Sequence, residues 1–185
     1  MGFYNPRPEK NLVVDRILKW IVDIITVASI AVFALTYFSD ETEVIGSSMS
    51  EVLEDGQTVL IDKLSYKLSK PERFDIIVYK SKVDDGQYVI KRIIGLPGEK
   101  IRISDSKIYV DGVELEDKYF KGSYESGSVS EEITVGGHEY FVLGDNRNLS
   151  EDSRFEYIGN IEEDEIVGKV WFIISPIKQI GIVKN

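Results

Sequence analysis

Two side chains in this sequence could divide the work of a hydrolytic reaction. Ser48 lies in VIGSSMSEVLEDG and Lys91 in QYVIKRIIGLPGEK. A serine hydroxyl becomes a nucleophile when a neighbouring base takes its proton, and a lysine serves as that base once burial lowers its pKa. Alternate residues of a strand share a face, so Val89, Lys91 and Ile93 point the same way. An ammonium set between two apolar β-branched neighbours is desolvated, which favours the neutral amine and makes it usable near neutral pH. Each residue also has a plainer reading. Lys91 is equally an edge-strand lysine or an ion-pair partner in an acidic chain, and Gly46-Ser47-Ser48 is equally a turn.

A third segment, GDNRNLSEDSRF (Gly144 to Phe155), follows a strand and is dense in polar and charged groups. It reads either as a solvated loop or as a hydrogen-bonded cluster, with Asp152 pairing Arg154 or Arg147 and Ser150 reaching a catalytic group. The single histidine, His138, sits in VGGHEYF, where Gly136 and Gly137 mark a hairpin connection. A surface turn position is expected for it, so a Ser-His-Asp arrangement has no good candidate base. The chain has no cysteine, which excludes thiolate catalysis, thiolate metal sites and disulfides together. No metal and no cofactor are expected.

These residues need elements to hold them. With 185 residues, 43% of them hydrophobic, the chain can bury a core for one or two modest domains. Its formal net charge of -10, with no basic stripe, argues against nucleic acid and against charge-driven docking to anionic lipid. Any contact with a bilayer would have to be apolar.

Such a segment is present. LKWIVDIITVASIAVFALTYF, Leu18 to Phe38, has the roughly 20 residues that cross ~30 Å of hydrocarbon. Its charges, Lys19 and Asp23, lie one turn apart near its start, where they can pair and Lys19 can snorkel. Arg7, Lys10, Arg16 and Lys19 precede or open the segment, whereas Asp40, Glu41 and Glu43 follow it. The positive-inside rule then predicts a cytoplasmic tail at 1–17, a transmembrane helix at 18–38 and an extracytoplasmic domain at 39–185. The bulky end Leu35-Thr36-Tyr37-Phe38 lacks the small residues of a cleavable leader.

The remainder reads as short strands between turns: QTVLIDK, RFDIIVYK, QYVIKRIIG, EKIRIS, KIYVDGVEL, HEYFVLGD and GKVWFII. Asp111-Gly112 is a two-residue hairpin signal. The pattern predicts a mainly β fold, a barrel or sandwich. A short helix is expected in LIDKLSYKLS and a mobile loop at ESGSVSEE, Glu125 to Glu132.

Four segments, in this order, resemble the bacterial type I signal peptidases. Gly46-Ser47-Ser48-Met49-Ser50-Glu51-Val52-Leu53 is similar to the family's Gly-x-Ser-Met-x-Pro-Thr-Leu. Phe74-Asp75-Ile76-Ile77-Val78 is similar to Gly-Asp-Ile-Val-Val, and Lys91 to Glu99 to Lys-Arg-Val-Ile-Gly-Leu-Pro-Gly-Asp. Gly144 to Arg154 matches every fixed position of Gly-Asp-Asn-Arg-x-x-Ser-x-Asp-Ser-Arg. GKVWFIISP resembles the closing strand, so the resemblance spans nearly the whole chain.

The resemblance implies a single-pass membrane serine endopeptidase that removes signal peptides from exported preproteins, with its catalytic domain at the bilayer surface. It implies a Ser-Lys dyad of nucleophile Ser48 and general base Lys91, with Ser150 orienting the lysine amine. Asp152 and Arg154 would be a supporting ion pair, and Asp145 a member of the same loop. The oxyanion hole would use the backbone N–H of Ser48; the position where some members add a serine hydroxyl is Gly46 here. Substrate would bind as an extended strand, with small side chains at the first and third positions before the cut. No individual substrate-binding residue is assigned.

One departure is notable. Glu51-Val52 replaces the family's Pro-Thr, removing a stiffening ring and placing a carboxylate expected to oppose deprotonation of Lys91. This supports an alternative, a non-catalytic signal-peptidase-like chaperone or assembly factor, for example for pili. A self-cleaving Ser-Lys repressor is a further rival, disfavoured by the apolar helix, the acidic charge and the lack of a DNA-binding helix pair.

Overall fold

The apolar run after the first dozen residues contains neither Gly nor Pro, and it forms one helix, α1 (Leu12–Phe38). A computed structural model describes residues 12–183 apart from positions 82, 84, 85 and 121, and the side chains of 12 and 34–38 lie outside the description. Most of the expected tail at 1–17 is therefore outside it too. The chain divides into two compact units, Met1–Phe38 and Ser39–Asn185.

In the first unit, Trp20, Ile24, Val27 and Ile30 are all more than 60% exposed. Thr26 and Ser29 donate their hydroxyls back to the carbonyls of Val22 and Ile25, both at 2.8 Å, so these polar groups are satisfied within the helix. Among the described residues, no helix is long and apolar enough to cross a membrane. Asp15, Arg16, Lys19 and Asp23 all fall in the described first half of α1. The expected pairing of Lys19 with Asp23 is not made there.

The second unit is mainly β. Its larger sheet runs in the order β1 (Ser39–Glu43), β2 (Thr58–Asp62), β11 (Ile166–Ser175), β3 (Ile76–Lys80), β4 (Tyr88–Gly95), β9 (Glu139–Leu143) and β10 (Ile161–Glu162), with β12 (Gly181–Ile182) on β11. The smaller sheet runs β7 (Val113–Glu114), β6 (Lys107–Val110), β5 (Lys100–Ser104) and β8 (Ile133–Thr134). All pairings are antiparallel. Among the described residues the end strands of neither sheet pair with each other, so the sheets are open and, of the barrel and the sandwich expected, the barrel does not close.

All seven runs read as strands from the sequence are strands. Asp111 and Gly112 both have positive φ, 50° and 79°, as a type I′ hairpin turn requires. The short helix in LIDKLSYKLS is α2 (Ser65–Leu68). Four short strands escaped notice, of which β1 (SDETE) is the most instructive. It lacks apolar alternation because it is an edge strand, and its charges guard an exposed ladder. The segment expected to be a mobile loop instead forms a 3-10 turn at Gly127–Ser130. Val129 is fully buried there, and the N–H and hydroxyl of Ser128 both donate to the carbonyl of Arg154, at 2.9 and 2.7 Å.

The positions of β3 and β4 decide the site. They lie mid-sheet, and both are covered on both faces, which is why Ile76 to Tyr79 and Ile90 to Gly95 are all buried. One face carries Ile77, Tyr79, Ile93 and Val142, and the other carries Ile76, Val78 and Ile90. Each such side chain contributes roughly 1.5–3 kcal/mol by leaving water. At the end of β4 the strand passes Ile101 of the smaller sheet so closely that a Cβ on Gly95 would stand 2.9 Å from Ile101 and Phe141.

Candidate active site

Ser48 follows β1 in a tight turn. Met49 and Leu53 are buried in the core and pin this turn, while Val52 and Leu53 donate to the carbonyl of Met49 at 2.9 and 2.7 Å. Gly46 takes the left-handed conformation that starts the turn, with φ of 82°. Its N–H donates to Asp55 at 2.7 Å, so it is already committed. The backbone N–H of Ser48 makes no internal hydrogen bond among the described residues, which leaves it available to a developing oxyanion.

Lys91 sits in the middle of β4, opposite Ile77, and is only 4% exposed. Its Nζ donates to Ser48 Oγ at 2.8 Å. Burial lowers its pKa from 10.5 to about 8; Asp152 and Glu151 pull it back up, Arg154 pushes it down and Asp145 raises it. At pH 7 roughly a tenth of the molecules then hold a neutral amine. In that state the bond reverses, and the hydroxyl donates to the amine.

The loop from Gly144 to Arg154 is a cluster and not a solvated excursion. Asp145, Arg147, Ser150, Asp152, Ser153 and Arg154 are all buried. Asp152 holds Arg154 through two bonds, 2.8 and 3.0 Å, and accepts the N–H of Gly144 at 3.0 Å. Of the two partners weighed for Asp152, Arg154 is the one it takes. Arg147 goes instead to Asp117, 2.6 Å away. The loop is stitched to the Ser48 turn by Asn146, whose N–H donates to the Ser48 carbonyl at 2.9 Å and whose amide donates to Ser50 Oγ at 2.8 Å. A Cβ on Gly144 would collide with Ser150 and with the Ser48 carbonyl, so the two segments meet as closely as backbone allows.

Two expectations are corrected. Ser150 Oγ is buried without a hydrogen-bond partner, so the expected bond to the Lys91 amine is not formed. Glu51 is exposed, and the carboxylates acting most strongly on Lys91 are Asp152 and Glu151. His138 is a surface turn residue, its side chain 87% exposed and 3.6 Å from Glu163.

Sequence reading passed over Arg92. Its guanidinium grips Asp145 through bonds of 2.8 and 2.7 Å, with both side chains at 0% exposure, donates to the Phe74 carbonyl at 2.8 Å and lies 3.6 Å from the Tyr119 ring centroid. Strand alternation was the available signal, because it puts Arg92 on the face opposite Lys91.

Two cavities open beside Ser48 and Lys91. One of about 370 Å³ is lined by Gly46, Ser48, Val89, Lys91, Glu151 and Tyr157 among others. The other, of about 160 Å³, adjoins Ser48 and Lys91 with Val44, Ile45, Met49 and Ile90. A larger groove of about 920 Å³ lies between Lys63, Tyr66 and Glu162 to Glu165 and touches neither Ser48 nor Lys91. Among the described residues, no group of His, Asp and Glu is arranged to hold a metal ion.

The family description "Signal peptidase, peptidase S26" matches residues 17–175. The chain is 33% identical to a protein named probable signal peptidase I-2 from Synechocystis sp., over 87% of this chain and 74% of that one. It is 34% identical to signal peptidase I of Bacillus caldolyticus, over 88% and 91%. A crystal structure of a signal peptidase I from Enterococcus faecalis shares 35% identity, covering 55% of this chain and 97% of that chain at a TM-score of 0.46. The chain belongs to the signal peptidase family, peptidase S26.

Proposed function

We propose that this protein is a membrane-anchored serine endopeptidase that cleaves signal peptides from exported preproteins, using Ser48 as nucleophile and Lys91 as general base. The observation that carries this reading is the 2.8 Å contact between Ser48 Oγ and a buried lysine amine whose pKa is lowered to about 8. Neutral Lys91 takes the Ser48 proton as Oγ attacks the scissile carbonyl. The oxyanion is met by the free Ser48 N–H. The Lys91 ammonium then gives its proton to the departing amine, leaving an acyl-serine. Lys91, neutral again, activates the water that releases it. Asp145, Asp152 and Arg154 act as positioning residues, holding the loop against the Ser48 turn, and Ser150 completes that loop beside the turn.

The preprotein would enter as an extended strand along the two cavities, the smaller of which sets Val44, Ile45 and Ile90 beside polar groups. Residues 18–38 of α1 would insert in the bilayer, supported by exposed apolar side chains and internally bonded hydroxyls. The positive charges preceding them would place the N-terminus in the cytosol and 39–185 outside. The non-catalytic alternative drew on the Glu51-Val52 replacement of Pro-Thr; its charge part loses support because Glu51 is not among the carboxylates acting most strongly on Lys91.

The test is incubation of purified protein in detergent with a model preprotein, comparing wild type with Ser48→Ala. Cleavage by wild type alone is expected. Equal cleavage by the variant would sink the assignment.

A further inference from the structure

We propose that Glu151 is a specificity-determining residue of this cleft: its carboxylate favours substrates with a cationic side chain in the cavity beside the dyad and disfavours acidic ones there. This rests on the reading of Ser48 and Lys91 as a peptidase dyad. Glu151 lies between Ser150 and Asp152, which the loop buries, and is itself exposed. It lines the cavity of about 370 Å³ together with Ser48 and Lys91.

The charges around it single it out. Asp152 and Asp145 also act on Lys91, but each is locked in a two-bond pair with an arginine, Arg154 and Arg92. Glu151 makes no ion pair among the described residues. Lys80 and Glu165 line the same cavity, and Glu165 is engaged, accepting the N–H of Glu162 at 2.9 Å. Glu151 accepts a hydrogen bond from the Tyr157 hydroxyl. Glu151 is thus an anion of this cavity, without an ion pair among the described residues, whose charge reaches Lys91.

A substrate cation in this cavity pairs with Glu151 as the peptide displaces water, while a substrate carboxylate is repelled. A second effect has the same sign. Glu151 favours protonated Lys91, so a cation that neutralises it makes the amine easier to deprotonate and assists the first step.

The experiment uses the full chain in detergent and one cleavable peptide, with Lys, Ala or Glu placed in turn at each of three positions on either side of the scissile bond. For wild type, one position should prefer Lys over Glu by about fivefold in kcat/KM, the scale of a partly exposed ion pair. Glu151→Gln should abolish that preference and Glu151→Lys should invert it. With the alanine peptide, the acid limb of the pH–rate profile should move to lower pH in Glu151→Gln, which a merely structural role would not produce. A wild-type enzyme indifferent to charge at every position, or a preference that persists in Glu151→Gln, overturns the proposal. Absence of cleavage of any peptide by wild type overturns the dyad reading itself, and the inference with it.

Discussion

Lys91 and Arg92 are neighbours on one strand, both buried, and the fold treats their charges in opposite ways. Arg92 faces Asp145 at full burial and is matched by two short bonds, a backbone carbonyl and an aromatic ring. Lys91, on the other face, is given a serine hydroxyl within reach and, among the described residues, no carboxylate within ion-pair distance. A buried charge that is fully paired holds structure together, whereas one left unpaired titrates near neutrality. One face of β4 therefore fixes the loop, and the other holds the proposed base.

Exchanging the two cations should break this comparison most sharply. Lys91→Arg keeps the charge but cannot release its proton. We expect kcat/KM to fall by at least about 10³-fold, measured on a model preprotein, with folding retained. Arg92→Lys should leave the dyad chemistry in place and lower stability, because a single ammonium cannot make the fork of bonds to Asp145. Retained activity in Lys91→Arg would show that Lys91 is not the base.

Removing one side of the paired charge comes next. Asp145→Asn leaves a guanidinium buried against a neutral amide and should cost about 3–5 kcal/mol, read by denaturant unfolding. A change within error would mean that Arg92 finds compensation in Phe74 and Tyr119.

Removing the unpaired charge should do the reverse. Lys91→Met is expected to abolish activity yet stabilise the protein by as much as about 3 kcal/mol near neutral pH. The sign follows from the lowered pKa: between about 8 and 10.5 the unfolded chain binds more protons than the native one. Wild-type stability therefore rises with pH across that window. The advantage of Met should be full below about pH 8 and gone by pH 10.5. In the same terms, wild-type activity should rise with pH through about 8. A plateau already reached at pH 6 would mean that another group is the base.

The smallest effect concerns Glu51. Because Asp152, Glu151 and Asp145 are the carboxylates that raise the Lys91 pKa and Glu51 is not one of them, Glu51→Gln should leave the pH profile where it is, in contrast to Glu151→Gln. A shift with Glu51→Gln would bring back the carboxylate-near-the-dyad reading of the Glu51-Val52 departure.

Much of this was legible in the residues themselves. Alternation along QYVIKRIIG places Val89, Lys91 and Ile93 on one face, and Asp111-Gly112 specifies its hairpin, because both follow from local backbone periodicity and turn chemistry. The four ordered segments point to the peptidase family, and the apolar run with its flanking charges predicts α1. Strand order was not legible, since β2, β11 and β3 become neighbours only through pairings distant in sequence. Nor was the partner of each charge. Closeness to Ser48 in the chain suggested Glu51 as an anion acting on Lys91, the family resemblance suggested Ser150 as the residue that orients its amine, and three-dimensional packing assigned neither. An acidic edge strand such as β1 and a buried turn at Val129 carry no local signature, because burial is a property of what packs on a residue. The sequence determined which residue types could do the chemistry and which faces would hide them. Tertiary structure decided which charges are cancelled and which one is left to react, because Coulomb and desolvation energies depend on distances that only the folded chain sets.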